Sequence, residues 1–251
     1  MPISNKETNL GLNRTGILMS PINSAESKKS ADTLTTPSKG DSTAIADNRI
    51  SSITEAGLIG TLPIPANVKG MITSIEEKVH VGNHALLDKL GERLAFERTG
   101  TRLYEAILSK YQASRDFESL PPLKLLEQFY QEELLHFYML VDIVTEIGGD
   151  PTAITPAADL SGVSSQGIIQ IITDPRTTFI QSLEALLHAE LIDNAGWELL
   201  IGLATEAGLN EYAEQFLKAK EEEDLHLEMI TEWVSNFNIS GEAVVDVKSI
   251  Q

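Results

Sequence analysis

The sequence predicts an all-α protein: an antiparallel four-helix bundle with a long crossover between its second and third helices, preceded by a largely irregular N-terminal arm. Three observations carry this. Apolar residues recur at intervals of three and four over four long segments beyond residue 83. The links between those segments run short, long, short, as in two hairpins joined by a crossover. The composition also breaks near residue 70. Residues 1–70 hold seven Lys/Arg against six Asp/Glu, whereas residues 71–251 hold 12 against 31.

Residues 20–48 are rich in Ser, Thr, Ala, Lys and Asp, with almost no large apolar side chain. Such a stretch buries too little surface to offset the entropy of ordering it, so it is expected to be disordered or loosely attached. The following segment, Leu58–Met71, is apolar but interrupted by Pro63, Pro65 and Gly70. It suits an extended arm lying on the folded domain or on a neighbouring subunit. The expected organisation is an arm over 1–70, a bundle over 71–240 and a tail over 241–251.

The first bundle helix is predicted over Asn83–Gln112. Leu86, Leu87, Leu90, Leu94, Glu97, Leu103, Tyr104 and Ile107 keep helical spacing, which Gly91 and Gly100 weaken. The second opens at Pro121–Pro122, with Ser119 as a candidate cap, and stops at Gly148–Gly149 before Pro151. Its expected apolar stripe comprises Leu125, Phe129, Leu135, Tyr138, Val141 and Val144. The third is expected after Asp174–Pro175, running to about Ala207–Gly208, and the fourth over Asn210–Asn236. The long link, Gly149–Asp174, can travel the length of the bundle and set the third helix parallel to the second.

Composition excludes several chemistries. The chain has no cysteine, so it offers no disulfide, thiolate metal site or cysteine nucleophile. Its formal net charge of −18 argues against a nucleic-acid surface. Its longest apolar runs, such as Ala195–Ala204, fall short of the roughly 20 residues that a bilayer span needs. The N-terminus lacks a basic head with an apolar core behind it, so the expected compartment is cytoplasmic.

Four acidic positions interrupt the apolar stripes, one per predicted helix: Glu97, Glu133, Glu190 and Glu223. Two of them are followed three residues later by histidine, giving Glu133–His136 and Glu223–His226. That spacing puts both side chains on one helical face, about 5–6 Å apart at Cβ, where both can grip one metal ion. Four carboxylates carry four negative charges, which two divalent cations neutralise; burying them uncompensated is prohibitive. A single Glu-x-x-His pair is weak evidence, because 5 His among 25 Glu give about half a pair by chance. A third pair, Glu77–His80, precedes the bundle and reads as solvated. The order carries the weight: lone Glu, Glu-x-x-His, lone Glu, Glu-x-x-His.

On these residues the chain, over roughly Asn83–Asn236, resembles the ferritin-like di-metal carboxylate superfamily, which includes bacterioferritins and rubrerythrins. That pattern sets a Glu on each of two helices and Glu-x-x-His on each of the other two. The resemblance implies a centre holding two Fe ions, with Mn possible, ligated by Glu97, Glu133, His136, Glu190, Glu223 and His226. In it Glu133 and Glu223 bridge the metals, and Glu97 with His136 and Glu190 with His226 form the terminal sets. Two departures stand out: about 80 residues precede the first helix, and no cysteine-ligated rubredoxin module is present. Rubrerythrins place a further carboxylate on the third helix. Asp193, three residues after Glu190, can fill that role, but a solvated helix acid is the simpler reading.

Among the neighbours, Tyr130 and Tyr104 are candidate catalytic residues lining the centre, as electron donors or hydrogen-bond partners, with core packing as the plainer alternative. Trp197 reads as core. His188, two residues before Glu190, points away from the centre, toward the surface or a subunit interface, with Glu184 as a possible pair. Glu132 competes with Glu133 for the first place, but only Glu133 stands three residues before His136; the run Glu221–Asp224 is mostly a solvated face, in which only Glu223 has the histidine spacing. Arg98 and Arg102 read as outer-face ion pairs.

The resemblance implies an oxidoreductase acting on O2 or H2O2, a ferroxidase or peroxidase among the options, with an external electron donor and a homo-oligomer, expected as a dimer. An iron-storage oligomer and a metal-free structural bundle are the alternatives. No nucleic-acid or membrane partner is expected.

Overall fold

The computed structural model describes residues 20–34, 42–57, 59–62, 84–114 and 120–240. Seven α-helices and no strands are found among them: α1 (Pro21–Thr33), α2 (Thr43–Glu55), α3 (His84–Ala113), α4 (Leu123–Glu146), α5 (Pro156–Thr173), α6 (Phe179–Glu206) and α7 (Asn210–Ser240). The chain divides into two compact units, Met1–Gly57 with Val244–Gln251, and Leu58–Ala243.

In the first unit the described residues are helical where composition predicts an irregular arm. Ser20 starts α1 by accepting a hydrogen bond from the Asn23 amide at 3.3 Å, with proline at the first helical position. Ser24 is the one residue of α1 that is buried, and α2 buries none. The polar composition of α1 leaves little to bury, but it does not prevent local i→i−4 hydrogen bonding.

In the second unit α6 and α7, joined by Ala207–Leu209, pack along one another, and α3 packs on α4, α5 and α6. Two apolar clusters fill the interior. One gathers Leu103, Tyr104, Ile107, Phe129, Leu183, Leu186, Ile230 and Phe237; the other Leu86, Leu90, Leu140, Ile143, Trp197, Leu200 and Phe216. Burying each such side chain is worth about 1.5–3 kcal/mol. Along the chain α3 and α7 pass from the second cluster to the first, and α4 and α6 from the first to the second. Between the clusters each helix crosses a polar layer.

The structure corrects several local expectations. The long link is mostly helix: α5 starts at Thr155, whose hydroxyl accepts from the Ala158 amide at 3.1 Å, with Pro156 at the first position. Its Ser- and Gly-rich sequence hides it from a periodicity reading. Asp174 does not open α6. It ends α5 and bonds Arg176, while Thr178 and Gln181 form a reciprocal capping box at the start of α6. Helix α4 is capped at Pro122; Ser119 lies outside the described residues. In α4 the inward face is Leu126, Phe129, Glu133, His136, Leu140, Ile143 and Val144, whereas Leu135 and Tyr138 are more than half exposed. The apolar residues of this helix spread over two faces, and packing selects the one with the Glu–His pair. Of the apolar arm, the Thr61 amide donates to the Ile154 carbonyl at 2.7 Å and Leu62 packs on the second cluster. Among the described residues no helix is long and apolar enough to cross a membrane.

Candidate metal centre

Glu97, Glu133, His136, Glu190, Glu223 and His226 all lie buried in the polar layer. Each takes the place of an apolar residue in the inward register of its helix. In α6 the buried series runs Leu183, Leu186, Glu190, Asp193, Trp197, Leu200; in α7 it runs Phe216, Ala219, Glu223, His226, Ile230.

The six side chains fall into two groups that share one member. Glu97, His136 and Glu223 form one; Glu133, Glu190, Glu223 and His226 form the other, with the donor atoms of each within 4.8 Å of one another. Glu223 joins them. Its Oε1 lies 2.9 Å from His136 Nδ1, and its Oε2 lies 2.9 Å from His226 Nδ1. His136 Nδ1 is also 3.6 Å from Glu97 Oε2, and His226 Nδ1 is 3.8 Å from Glu133 Oε1 and 3.9 Å from Glu190 Oε2. The resemblance implies that both Glu133 and Glu223 bridge; here Glu133 gathers with the His226 group alone.

These atoms face one another without aligned hydrogen bonds. Both oxygens of Glu97 and Glu223, one oxygen each of Glu133 and Glu190, and both Nδ1 atoms are buried without a hydrogen-bond partner. Orphaned buried polar atoms are costly, and so many converging on one place are not a stable arrangement by themselves. Carboxylate and imidazole donors aimed at shared points fit hard or borderline divalent cations such as Fe or Mn.

The outer nitrogens of both histidines are held crosswise. His136 Nε2 donates to Glu222 Oε2 at 2.8 Å, and His226 Nε2 donates to Glu132 Oε2 at 2.8 Å. Each acid immediately precedes the Glu of the opposite Glu-x-x-His pair. An Nε2–H engaged by a carboxylate turns Nδ1 inward, where it can serve as a metal ligand once it has given up its proton. Partial burial works against ionised Glu132, yet hydrogen bonds from His226 and Gln128 hold its carboxyl below the usual range. Glu222 is exposed, as expected of that run, yet its carboxylate and that of Glu132 each hold one of the buried imidazoles. The signal was present: Glu-Glu-x-Leu-His occurs twice, at 132–136 and 222–226.

Further residues complete the layer. Tyr104 is fully buried and donates to Glu190 Oε1 at 2.6 Å, its ring edge-on to His226. Tyr130 is only partly buried and packs on the apolar cluster. Asn194 ties α6 to α7, its Nδ2 donating to the carbonyls of Glu190 and Glu223 at 3.0 Å each. Asp193 is not a solvated acid: it is buried and bonded to Arg93, itself fully enclosed. Trp197 is core, its ring edge-on to His136. His188 is exposed, and Glu184 bonds Asn238 at 3.0 Å. Arg98 and Arg102 are exposed, with no ion pair for either among the described residues. Glu77 and His80 lie outside the described residues.

Gly100 explains itself here. A Cβ on it would collide with the Glu133 carboxylate, so the absence of a side chain on α3 is what admits Glu133 from α4.

Burial and neighbouring charges shift the titration of the groups in this layer. Burial, then the charges of Glu223 and Glu97, pushes the Glu133 carboxyl well above its usual range; burial and Glu223 raise Glu190 to about 8. Burial works against charged imidazoles, but Glu223 and Glu97 push His136 up to about 11, and Glu223, Glu132 and Glu190 push His226 up to about 10. Glu223, although buried, is held below its usual range by the two histidines.

Compared with known proteins, the chain matches no family model, no curated protein and no solved structure.

Proposed function

We propose that the chain is a di-metal carboxylate oxidoreductase of ferritin-like topology, binding two Fe or Mn ions and acting on dioxygen or hydrogen peroxide. One observation carries the reading: the two oxygens of Glu223 each face a different histidine Nδ1 at 2.9 Å, and each histidine belongs to its own carboxylate group. Two cation positions bridged by one carboxylate account for that arrangement, and two divalent ions balance the four glutamates.

The topology is supported by the order of packing. Opposite passage through the two apolar clusters suits antiparallel α3/α4 and α6/α7 pairs, with the segment bearing α5 as the crossover.

In this reading Glu97 and His136 would hold one ion, Glu133, Glu190 and His226 the other, and Glu223 would serve both. Two such ions, when bound in their reduced state, would supply two electrons for the reduction of O2 or H2O2. The protein's own part is to orient and to exclude water. Glu222 and Glu132 fix the imidazoles, the apolar clusters close the layer on both sides, and Tyr104 steers the Glu190 carboxylate. Burial, with the charges of Glu190 and Glu133, holds the Tyr104 hydroxyl well above its usual range, so it stays a donor. With no cysteine in the chain, further electrons come from the substrate or an external donor.

Metal quantitation and anaerobic Fe(II) loading followed by O2 or H2O2 test this. The expected result is two ions per chain and Fe(II) oxidation faster than in buffer. Failure to take up Fe(II) or Mn(II) would overturn it.

A further inference from the structure

The polar layer contains a fifth carboxylate and a cation that the ligand set does not use. Asp193 stands three residues after Glu190 on the same buried face of α6, where it is placed to become another ligand. Instead its Oδ1 and its own carbonyl both accept from Arg93 Nη1, the carbonyl at 2.9 Å, while its Oδ2 has no hydrogen-bond partner.

Arg93 is held in place from several sides. Its guanidinium lies over the Phe96 ring at 4.5 Å and 5.7 Å from the Trp197 ring. A Cβ at Gly196 would come within 2.8 Å of the Arg93 Cζ and Nη1 atoms, so this glycine opens the slot the guanidinium fills. Arg93 Nη1 also lies 3.7 Å from Glu97 Oε1, so its charge bears directly on a proposed ligand. An arginine cannot give up its proton in a protein, so the charge is permanent.

With both imidazoles neutral and all carboxylates ionised, as ion binding requires, five buried carboxylates and one guanidinium leave four negative charges, which two divalent cations neutralise. We infer that Arg93 is a built-in counter-cation that keeps Asp193 off the ions and sets the centre's charge for two divalent cations. This rests on the di-metal reading above. Arg93 acts through Asp193 and Glu97 and is a positioning residue.

A charge cycle tests it: Mn(II) titration of the full chain, with free Mn(II) counted by electron paramagnetic resonance and helix content checked by circular dichroism. Arg93→Met makes the centre one unit more negative and frees Asp193, so Mn(II) should bind on the order of tenfold tighter. Asp193→Asn makes it one unit less negative and turns Arg93 toward Glu97, so binding should weaken on the order of tenfold or more. The double variant restores the charge and should return to within about threefold of wild type. If Arg93→Met does not fold, the comparison of Asp193→Asn with the double variant still decides, because a buried ion pair replaced as a unit is commonly tolerated. Single variants that shift affinity in the same direction, or a double variant as weak as Asp193→Asn, overturn the inference while leaving the metal centre standing. A wild-type chain that binds no Mn(II) removes the metal centre and the inference with it.

Discussion

His136 on α4 is hydrogen-bonded through Nε2 to Glu222 on α7, 86 residues later, at 2.8 Å, and the bond is repeated in mirror order by His226 and Glu132. Neither acid faces the inner donor atoms, so each acts through the imidazole it holds. Glu222→Gln and Glu132→Gln should each lower Mn(II) affinity by about 10- to 100-fold, with two ions still bound at saturation. Unchanged affinity in a titration would show these bonds to be incidental.

Glu223 is the one residue present in both donor groups. Glu223→Ala should therefore abolish binding of both ions, whereas Glu97→Ala should spare the ion held with His226. Metal quantitation after desalting distinguishes the two. One tightly held ion in Glu223→Ala would make this residue a terminal ligand rather than a bridge.

Gly100→Ala should raise the intrinsic helix preference of α3 by about 1 kcal/mol. It also drives a methyl group into the Glu133 carboxylate. The expected outcome is loss of the ion that Glu133 helps to hold, while α3 stays helical. Melting curves with chelator and with Mn(II) read this directly: the variant should lose most of the metal-induced rise. A full rise would mean that Glu133 relocates freely.

Tyr104→Phe removes the only hydrogen bond to the Glu190 carboxylate found among the described residues. A buried acceptor left unpaired costs about 1–3 kcal/mol, so denaturant unfolding in chelator should shift by that amount. With metal bound, the ion engages Glu190 and the penalty should shrink. Equal penalties in both conditions would separate Glu190 from the metal.

The proton inventory predicts opposite pH trends with and without metal. Glu190 at about 8, His226 at about 10 and His136 at about 11 all stand above their ordinary values. A raised value stabilises the fold fully below the unfolded value and loses that contribution as pH rises through the folded one. In chelator, stability should therefore decline from about pH 5 to 8 through Glu190 and from about pH 7 to 11 through the histidines. Metal must displace those same protons, so Mn(II) affinity should increase with pH over the same range. Unfolding midpoints in chelator that rise from pH 7 to 10 would contradict the assignment.

The six buried Glu and His positions were legible because they break the apolar periodicity in a fixed order, one element per helix. Two helix ends were legible from Pro121–Pro122 and Gly148–Gly149. Helix α5 was not, because Ser161, Ser164, Ser165, Gly162 and Gly167 blur its apolar stripe, although Thr155–Pro156 marks its start. The stripe of α4 was misread at Leu135 and Tyr138, since the helix carries apolar residues on more than one face.

The sequence by itself determined the helical class, the buried Glu and His set and the surplus of carboxylates demanding counter-charge, because these follow from periodicity and charge within single segments. Only the tertiary structure decided which acids matter beyond that set. Glu132 and Glu222 reach the opposite helix's histidine, Asp193 meets Arg93, and Gly100 makes room for Glu133. Each of these relationships joins residues on different helices. Helical spacing places a side chain on a face, but the partner it meets there depends on how the faces dock.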